Sequence, residues 1–391
     1  MTQRIAIVGA GIGGLAAAAL LHDQGRDVTV YDQFPSPRPI GSGLVIQPVG
    51  QMVLGRVGVL EEATALGMPI TRMAGHEAEG KRPVLNVFYD PGGRGTHGLA
   101  IHRGSLFHVL WQAMVERGIT VVPNAEAAGA SNGLLRFADG TEAGPFDLII
   151  DSAGAGSPLS PLKSRTLPYG AIWATVDWPD TGLPTNELRQ CYRRADRMIG
   201  VLPIGQMPDG GTQKAALFWS LPSDGHANWL TEGLAPWKAE AIALWPDVAP
   251  FVDQITDPAQ MTMARYSHGT MAKPYGAGLV HIGDSAHRAS PQLGQGANMA
   301  LLDALALAEA LRLANGQDPL ALYARARRWH VRTYQLFSAV FTPQYQSDST
   351  VLPMIRDRLL YPLSQVGPVA GILNRLVCGT LLPPLASLEK R

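Results

Sequence analysis

Residues 4–32, "RIAIVGAGIGGLAAAALLHDQGRDVTVYD", decide the fold of this chain. A short apolar run over residues 5–8 leads into a glycine turn, and an alanine- and leucine-rich segment then continues to Gly25. A second, β-branched run occupies residues 28–31. The first and last runs have strand character and the middle segment has helical character. This order predicts a βαβ unit with parallel strands, and therefore an α/β fold.

The turn inside this unit has the spacing of a dinucleotide cradle. Gly9, Gly11 and Gly14 form G-x-G-x-x-G, Gly13 lies in the same turn, and Asp32 ends the second strand. The glycines permit a tight turn, close approach of backbone amides to a pyrophosphate, and close packing of helix on strand. A carboxylate at the end of the second strand accepts hydrogen bonds from a ribose and repels a 2′-phosphate. We therefore expect a Rossmann-like domain that binds NAD or FAD through these five residues; the alternative is a glycine turn that binds nothing.

A second stretch of small residues occurs at 281–311, "HIGDSAHRASPQLGQGANMALLDALALAEAL". It starts as a strand that ends at Gly283 and finishes as a long helix. Asp284 can bind a polyol, and the glycines before the helix let backbone amides approach a flat ring. The positive end of the helix would stabilise the anion of a reduced flavin. We expect an isoalloxazine ring and its ribityl chain here, whereas the alternative is a capped helix after a tight turn.

The middle of the chain differs in character from the two ends. Runs such as "AIWATVDW" and "KAALFWSL" predict antiparallel strands between about residues 166 and 272. We expect a discontinuous Rossmann-like FAD-binding domain with an inserted, mostly antiparallel β-sheet domain and C-terminal helices. The predicted segments are 1–70, 98–165 and 273–340 for the FAD-binding domain, 71–97 and 166–272 for the substrate-binding domain, and 341–391 for the C-terminal helical segment.

The composition is that of an ordinary globular protein. The chain has 391 residues, 46% of them hydrophobic and 16% charged, with a formal net charge of +0. Its basic residues are scattered, so we expect no nucleic-acid partner. The two cysteines show neither metal spacing nor a disulfide framework, which favours a reducing cytoplasm and no metal site. We expect neither a signal peptide nor a membrane span, no membrane contact, and a monomer or homodimer.

Taken in order, the motifs resemble those of the group A FAD-dependent aromatic hydroxylases, flavoprotein monooxygenases with the p-hydroxybenzoate hydroxylase fold. Besides the two glycine-rich stretches, the resemblance rests on "HRGSLFHVL" and "FDLIIDSAG", and it covers most of residues 1–340. It implies a tightly but non-covalently bound FAD. Arg103 would lie near the pyrophosphate and ribityl region, and Asp284 would bind the ribityl hydroxyls. The resemblance also implies that the flavin ring is lined by Pro291, Gly294, Gly296, Ala297 and Asn298.

One motif departs from the family pattern. The stretch "DSAGAGSPLS" has Ala153 before Gly154 where the family has Asp, and Ser160 where it has Arg. The family motif serves both FAD and NAD(P)H, so the loss of two charged groups puts NAD(P)H as a transient reductant in doubt. Asp151 could take over the role. We find no second dinucleotide fingerprint, which agrees with one firmly held dinucleotide.

The resemblance implies that reduced FAD and O₂ give a flavin C4a-hydroperoxide that oxygenates an aromatic or polyketide-like small molecule. One alternative is an FAD-dependent oxidase, dehydrogenase or cyclase of the same fold that does not use NAD(P)H. Another is a flavin- or NAD-binding protein without turnover.

The candidate residues around the substrate come mostly from the inserted domain, and each has a core or surface role as its alternative. The candidate catalytic residues are His287, Pro291, Arg265 and Tyr266. The candidate substrate-binding residues are Trp173, Tyr192, Phe218, Trp219 and His268.

The tail from Phe341 predicts short amphipathic helices separated by prolines, with Arg356, Arg358 and Arg375 on polar faces. We expect the tail to pack on the flavin domain or to cap the substrate entrance. The alternative is an apolar door for a hydrophobic substrate or a membrane surface.

Overall fold

A six-stranded sheet forms the centre of the computed structural model, which describes residues 2–36, 41–386 and 388. Its strands lie in the spatial order Tyr275–Gly276, Leu279–His281, Leu148–Asp151, Arg4–Val8, Asp27–Tyr31 and Thr120–Val122. All neighbours are parallel except the first pair, which is an antiparallel hairpin. Three helices, Ile12–His22, Arg103–Glu116 and Gly296–Leu313, pack together beside this sheet and form its largest apolar core. The predicted Rossmann-like, parallel architecture is confirmed.

A seven-stranded sheet is the second large element. Its order is Thr262–Ala264, Tyr169–Asp177, Lys214–Pro222, Arg197–Pro203, Glu187–Arg193, Arg72–Glu77 and Pro83–Phe88. Every pair is antiparallel except Glu187–Arg193 with Arg72–Glu77. The predicted antiparallel character of the inserted region is therefore confirmed. One face of this sheet is covered by the helices His226–Glu232, Leu234–Leu244 and Ala249–Val252.

Three small sheets complete the strands. They comprise Gly43–Ile46, Gly98–His102 and Met68–Ile70; Glu142–Ala143, Leu134–Phe137 and Ala127–Ser131; and Arg165–Thr166, Ser267–Thr270 and His287–Arg288. Two further helices, Pro48–Val57 and Leu60–Leu66, follow the first of these strands.

The C-terminal region is helical. One helix runs without interruption from Pro319 to Tyr345, and the shorter segments Val351–Ile355, Arg356–Leu360, Tyr361–Ser364 and Gly367–Val377 follow it. Arg356 is only 2% exposed, so its predicted place on a polar face is wrong. Within the part of the chain that the structure describes, no helix is both long enough and apolar enough to cross a bilayer.

Candidate functional site

A single cavity of about 710 Å³ connects the two glycine-rich stretches. At one end it is lined by Gly11 and Gly13, at the start of the helix Ile12–His22. Further along it is lined by Gly283 and Asp284, and then by the residues that begin the helix Gly296–Leu313. Two regions almost 300 residues apart therefore open into the same space, with the positive ends of both helices directed to it.

The first helix start owes its shape to three glycines with different surroundings. Gly9 has φ of +100°, and a Cβ on it would lie 2.8 Å from the Cα of Ala153. A Cβ on Gly14 would overlap the carbonyl oxygen of Gly9. At Gly11, by contrast, a Cβ would have no atom within 4 Å. Gly9 and Gly14 therefore permit the turn and its packing, whereas Gly11 leaves open space for a ligand, as the cradle requires.

Asp32 stands at the end of the neighbouring strand and is 8% exposed. Its Oδ2 accepts a hydrogen bond from the backbone N–H of Ala10 at 2.7 Å, and its Oδ1 accepts one from Phe34 at 3.0 Å. The carboxylate thus braces the glycine turn from the adjacent strand.

The second helix start also has room for a ligand. A Cβ on Gly296 would have no atom within 4 Å, and Gly294 has φ of +59°. Pro291 and Ala297 line the cavity beside these glycines. Asn298 does not line it, because its fully buried side chain accepts from Gln47 N–H at 2.8 Å and donates to the carbonyls of Val45 and Gly294. Asn298 therefore acts by fixing the loop before the helix.

Gln47 and Ala300 were not predicted from the sequence, yet both line the cavity. The Gln47 side chain is completely buried beside the Tyr89 hydroxyl, and neither of its polar atoms makes a hydrogen bond of good geometry among the described residues. A buried amide without partners is costly, so it fits a polar ligand edge at this point. Ala300 lies against Gly13, because a Cβ added to Gly13 would lie 3.2 Å from the Cβ of Ala300. No motif pointed to either residue, because they face the cavity only after two distant segments have packed.

Arg103 lines the same cavity. Burial lowers the pKa of its guanidinium, and the negative charge of Asp284 acts in the opposite direction. A cation and an exposed carboxylate, both lining the cavity between two helix starts, suit a phosphate group and the hydroxyls of a polyol. These groups, with the open positions at Gly11 and Gly296 and the unpartnered amide of Gln47, fit an extended FAD molecule.

A buried ion-pair cluster holds the turn that carries Asp284. Asp303 is completely buried; it accepts from Gly283 N–H at 2.9 Å, from His287 Nε2 at 2.6 Å and from Arg327 Nε at 2.7 Å. Burial opposes ionisation, but His287 and Arg327 outweigh it and hold the pKa of Asp303 well below its usual value. His287, predicted as catalytic, does not line the main cavity and instead positions the loop through Asp303.

The far end of the cavity is walled by the seven-stranded sheet. Of the predicted residues, Trp173, Tyr192, Phe218 and Tyr266 line it. The Trp173 and Phe218 rings stack at 4.8 Å, and Trp173 Nε1 donates to the Tyr266 hydroxyl at 3.1 Å. Burial raises the pKa of Tyr266 to about 12, with Trp173 opposing the shift, so its hydroxyl stays protonated near neutral pH.

Three predicted residues lie elsewhere. Trp219 is 1% exposed and packs under the helices on the opposite face of the sheet, because adjacent strand residues point to opposite sides and Phe218 already faces the cavity. Arg265 is exposed, lies between the strands Thr262–Ala264 and Ser267–Thr270, and donates to the carbonyl of Ser223. His268 lies 3.3 Å from the Ser338 hydroxyl, away from the cavity lining. None of these three side chains lines the cavity.

Two polar side chains of the altered motif, Ser160 and Asp151, are engaged within the protein. Ser160 donates to the carbonyl of Ser285 at 2.5 Å. Asp151 is completely buried, and its carboxylate accepts from the Ser157 hydroxyl at 2.8 Å and lies 2.7 Å from His281 Nδ1. The Asp151 carboxylate is therefore engaged with Ser157 and His281 and does not line the cavity.

Comparison with known proteins agrees with this site. Residues 7–38 match a model described as an NAD(P)-binding Rossmann-like domain, and residues 226–335 match one described as an FAD-binding domain. An FAD-dependent urate hydroxylase of Mycolicibacterium vanbaalenii is 24% identical over 99% of this chain and 100% of its own length. A 6-hydroxynicotinate 3-monooxygenase of Pseudomonas fluorescens is 26% identical over 80% of this chain and 83% of its own.

Solved structures show the same fold. Klebsiella pneumoniae HpxO, crystallised with FAD and uric acid, superposes with a TM-score of 0.81 at 20% identity, covering 98% of this chain and 97% of its own. A tetrameric 2-methyl-3-hydroxypyridine-5-carboxylic acid oxygenase gives a TM-score of 0.79 at 19% identity, with 96% of each chain covered.

These comparisons define the class of the protein. It is an FAD-dependent flavoprotein monooxygenase, and hence an oxidoreductase, as the resemblance implied. NAD(P)H is the reductant typical of this class.

Proposed function

We propose that this enzyme inserts one oxygen atom of O₂ into an aromatic, or polyketide-like, small molecule held against the seven-stranded sheet. The observation that carries the proposal is the single cavity that runs from both glycine-lined helix starts to the aromatic wall formed by Trp173, Tyr192 and Phe218. The first part fits FAD, and the second is walled mainly by apolar side chains. The seven-stranded sheet would accordingly serve as the substrate domain, and the C-terminal helices would close the far end.

The balanced reaction uses one substrate C–H bond, one O₂ and one two-electron reductant. It yields a C–OH bond and water, and bound FAD supplies the activation of O₂. The chain's own residues bind and orient the reactants and exclude water. Asp303 and His287 hold the Gly283 turn, the start of the helix Gly296–Leu313 provides a positive end beside the ring, and the aromatic wall positions the substrate.

The test is substrate-dependent oxygen uptake by FAD-loaded enzyme supplied with NADH or NADPH. A panel of phenols, aromatic acids and polycyclic hydroxyaromatics would be screened, with catalase added to remove the contribution of hydrogen peroxide. We expect at least one compound to raise oxygen consumption and to gain one oxygen atom by mass spectrometry. Purified protein that shows no flavin absorbance after incubation with FAD would refute the proposal.

The departure of the stretch 151–160 from the family pattern favours a second candidate, an FAD-dependent oxidase, dehydrogenase or cyclase that receives electrons from its own substrate. Ala153 and Ser160 replace two charged groups, and Asp151 is already engaged with Ser157 and His281. Anaerobic mixing separates the two candidates. Rapid bleaching of the flavin by NADH or NADPH excludes a substrate-only electron source, whereas bleaching by the organic substrate alone supports it.

A further inference from the structure

Arg356 is a buried cation that the chemistry described above does not use. It opens the one-turn segment Arg356–Leu360 of the C-terminal region, is 2% exposed, and lines the far end of the cavity. Its guanidinium packs beside a pair of tyrosine rings that contact each other, 5.3 Å from the centroid of Tyr192 and 5.0 Å from that of Tyr345. Such a position fixes the plane of the guanidinium and removes it from water.

Most of the donors of Arg356 are engaged within the protein. Nη1 donates to the carbonyls of Arg194 at 3.1 Å and Gln344 at 2.9 Å, and Nε donates to Asp357 Oδ1 at 2.6 Å. Nη2 is buried and has no hydrogen-bond partner among the described residues. A buried, unpaired donor on a charged group is costly, so an acceptor from a ligand at this place would be strongly favoured.

The charge around Arg356 indicates which acceptor fits. Asp357 forms an ion pair with the guanidinium, so the pair carries no net charge. Within the described ranges, the other charged residues that line the cavity are Arg103 and Asp284, both at the flavin end. A carboxylate at the far end would therefore be buried against a cation that is already neutralised, which is unfavourable. A ketone or phenol oxygen carries no such cost.

Two amide side chains that line the same cavity, Gln190 and Gln346, are engaged within the protein. Gln190 donates to Met198 Sδ, and Gln346 donates to the carbonyl of Gly170 while accepting from Gln292. Nη2 of Arg356 is a buried cationic donor that keeps free capacity.

We propose that Arg356 Nη2 is the specificity-determining contact for an uncharged acceptor oxygen, a ketone or a phenol, carried by an otherwise apolar aromatic substrate. This inference rests on the proposed function, because it assigns the far end of the cavity to the substrate. The Arg356–Asp357 pair would hold one end of the substrate and so place the opposite end toward the flavin.

The test uses FAD-loaded enzyme and three probes with the same apolar body: biphenyl, 4-acetylbiphenyl and biphenyl-4-carboxylate. Dissociation constants would be measured by calorimetry and by perturbation of the flavin absorbance. We expect the ketone to bind at least about tenfold more tightly than the other two. In Arg356→Met, ketone binding should fall to the level of biphenyl while biphenyl binding stays unchanged. The exposed neighbour gives the matched control Arg358→Met, which should retain the preference.

Because Arg356 also binds two backbone carbonyls, thermal melting would check that its variant folds. If it does not, Asp357→Asn keeps the guanidinium and removes its neutralising charge, so the preference should move from the ketone to the carboxylate. The inference is overturned if wild-type enzyme binds the three probes equally or prefers the carboxylate. It is also overturned if Arg356→Met folds and keeps the ketone preference, or if Asp357→Asn leaves the order unchanged. Calorimetry needs no turnover, so arginine-dependent ketone binding without oxygen uptake would refute the proposed oxygenation alone.

Discussion

Replacing Gly11 by aspartate separates the role of this position in binding FAD from any role in folding. The residue precedes the helix Ile12–His22 and has extended backbone angles of φ −82° and ψ −179°. A Cβ added to it would have no atom within 4 Å. Aspartate is a favourable residue at a helix N-cap, so the free energy of unfolding of the apoprotein should change by less than about 1 kcal/mol.

The effect on FAD should be much larger. Two unit charges about 4 Å apart repel each other by about 4 kcal/mol at an effective dielectric constant of 20, which corresponds to roughly 10³-fold weaker binding. Even a third of that repulsion weakens binding about tenfold. We therefore expect Gly11→Asp to fold normally and to lose FAD.

Two matched variants define the controls. In Gly14→Ala the new Cβ would overlap the carbonyl oxygen of Gly9 and lie 2.5 Å from Ser152 Oγ, so this variant should be destabilised by about 1–3 kcal/mol. Gly129→Asp adds the same charge on the strand Ala127–Ser131, where there is also open space, and should leave FAD binding unchanged.

The assay combines urea unfolding of the apoproteins with fluorescence titration of FAD. Wild-type FAD affinity in Gly11→Asp would refute the assignment of the diphosphate to this helix start. Loss of FAD affinity together with loss of folding would refute it as well, because the added charge should weaken FAD binding without unfolding the apoprotein.

Further predictions concern the ion-pair cluster, acid stability and the aromatic wall. Asp303→Asn should lower the free energy of unfolding in urea by about 3–5 kcal/mol, because it leaves the buried guanidinium of Arg327 uncompensated, and it should weaken FAD binding; an unchanged midpoint would contradict this. Burial, followed by the charge of Arg327, lowers the pKa of His330 to about 3. The unfolded chain takes up this proton near pH 6.5, so stability should be full above that pH and should fall by on the order of 5 kcal/mol as the pH drops from 6.5 to 3. In His330→Gln, the melting temperature should fall less steeply between pH 7 and 4 than in the wild type. An identical slope in the two proteins would exclude His330 as the source of the acid sensitivity. Trp219→Ala should lower the free energy of unfolding by about 3–5 kcal/mol yet leave probe binding in the folded fraction unchanged. Trp173→Ala should weaken probe binding and leave the free energy of unfolding nearly unchanged.

The sequence by itself determined the two helix starts. Gly9, Gly14 and Gly294 are local requirements of backbone geometry, and Asp32 follows from the length of one βαβ unit. Such features depend on neighbours within a few tens of residues, so they can be recognised before the chain is folded. The same holds for the alternation between the parallel and antiparallel regions.

Tertiary structure decided which side chains meet the substrate end of the cavity. The two-residue period of a strand predicts that Phe218 and Trp219 face opposite sides of the sheet, but it does not tell which side is the cavity. That choice depends on the helices that cover the other face of the sheet. Arg356 and Gln47 became buried, with unpartnered polar atoms, only because segments far apart in the chain pack around them. Burial is a property of the whole fold, and the local sequence does not contain it.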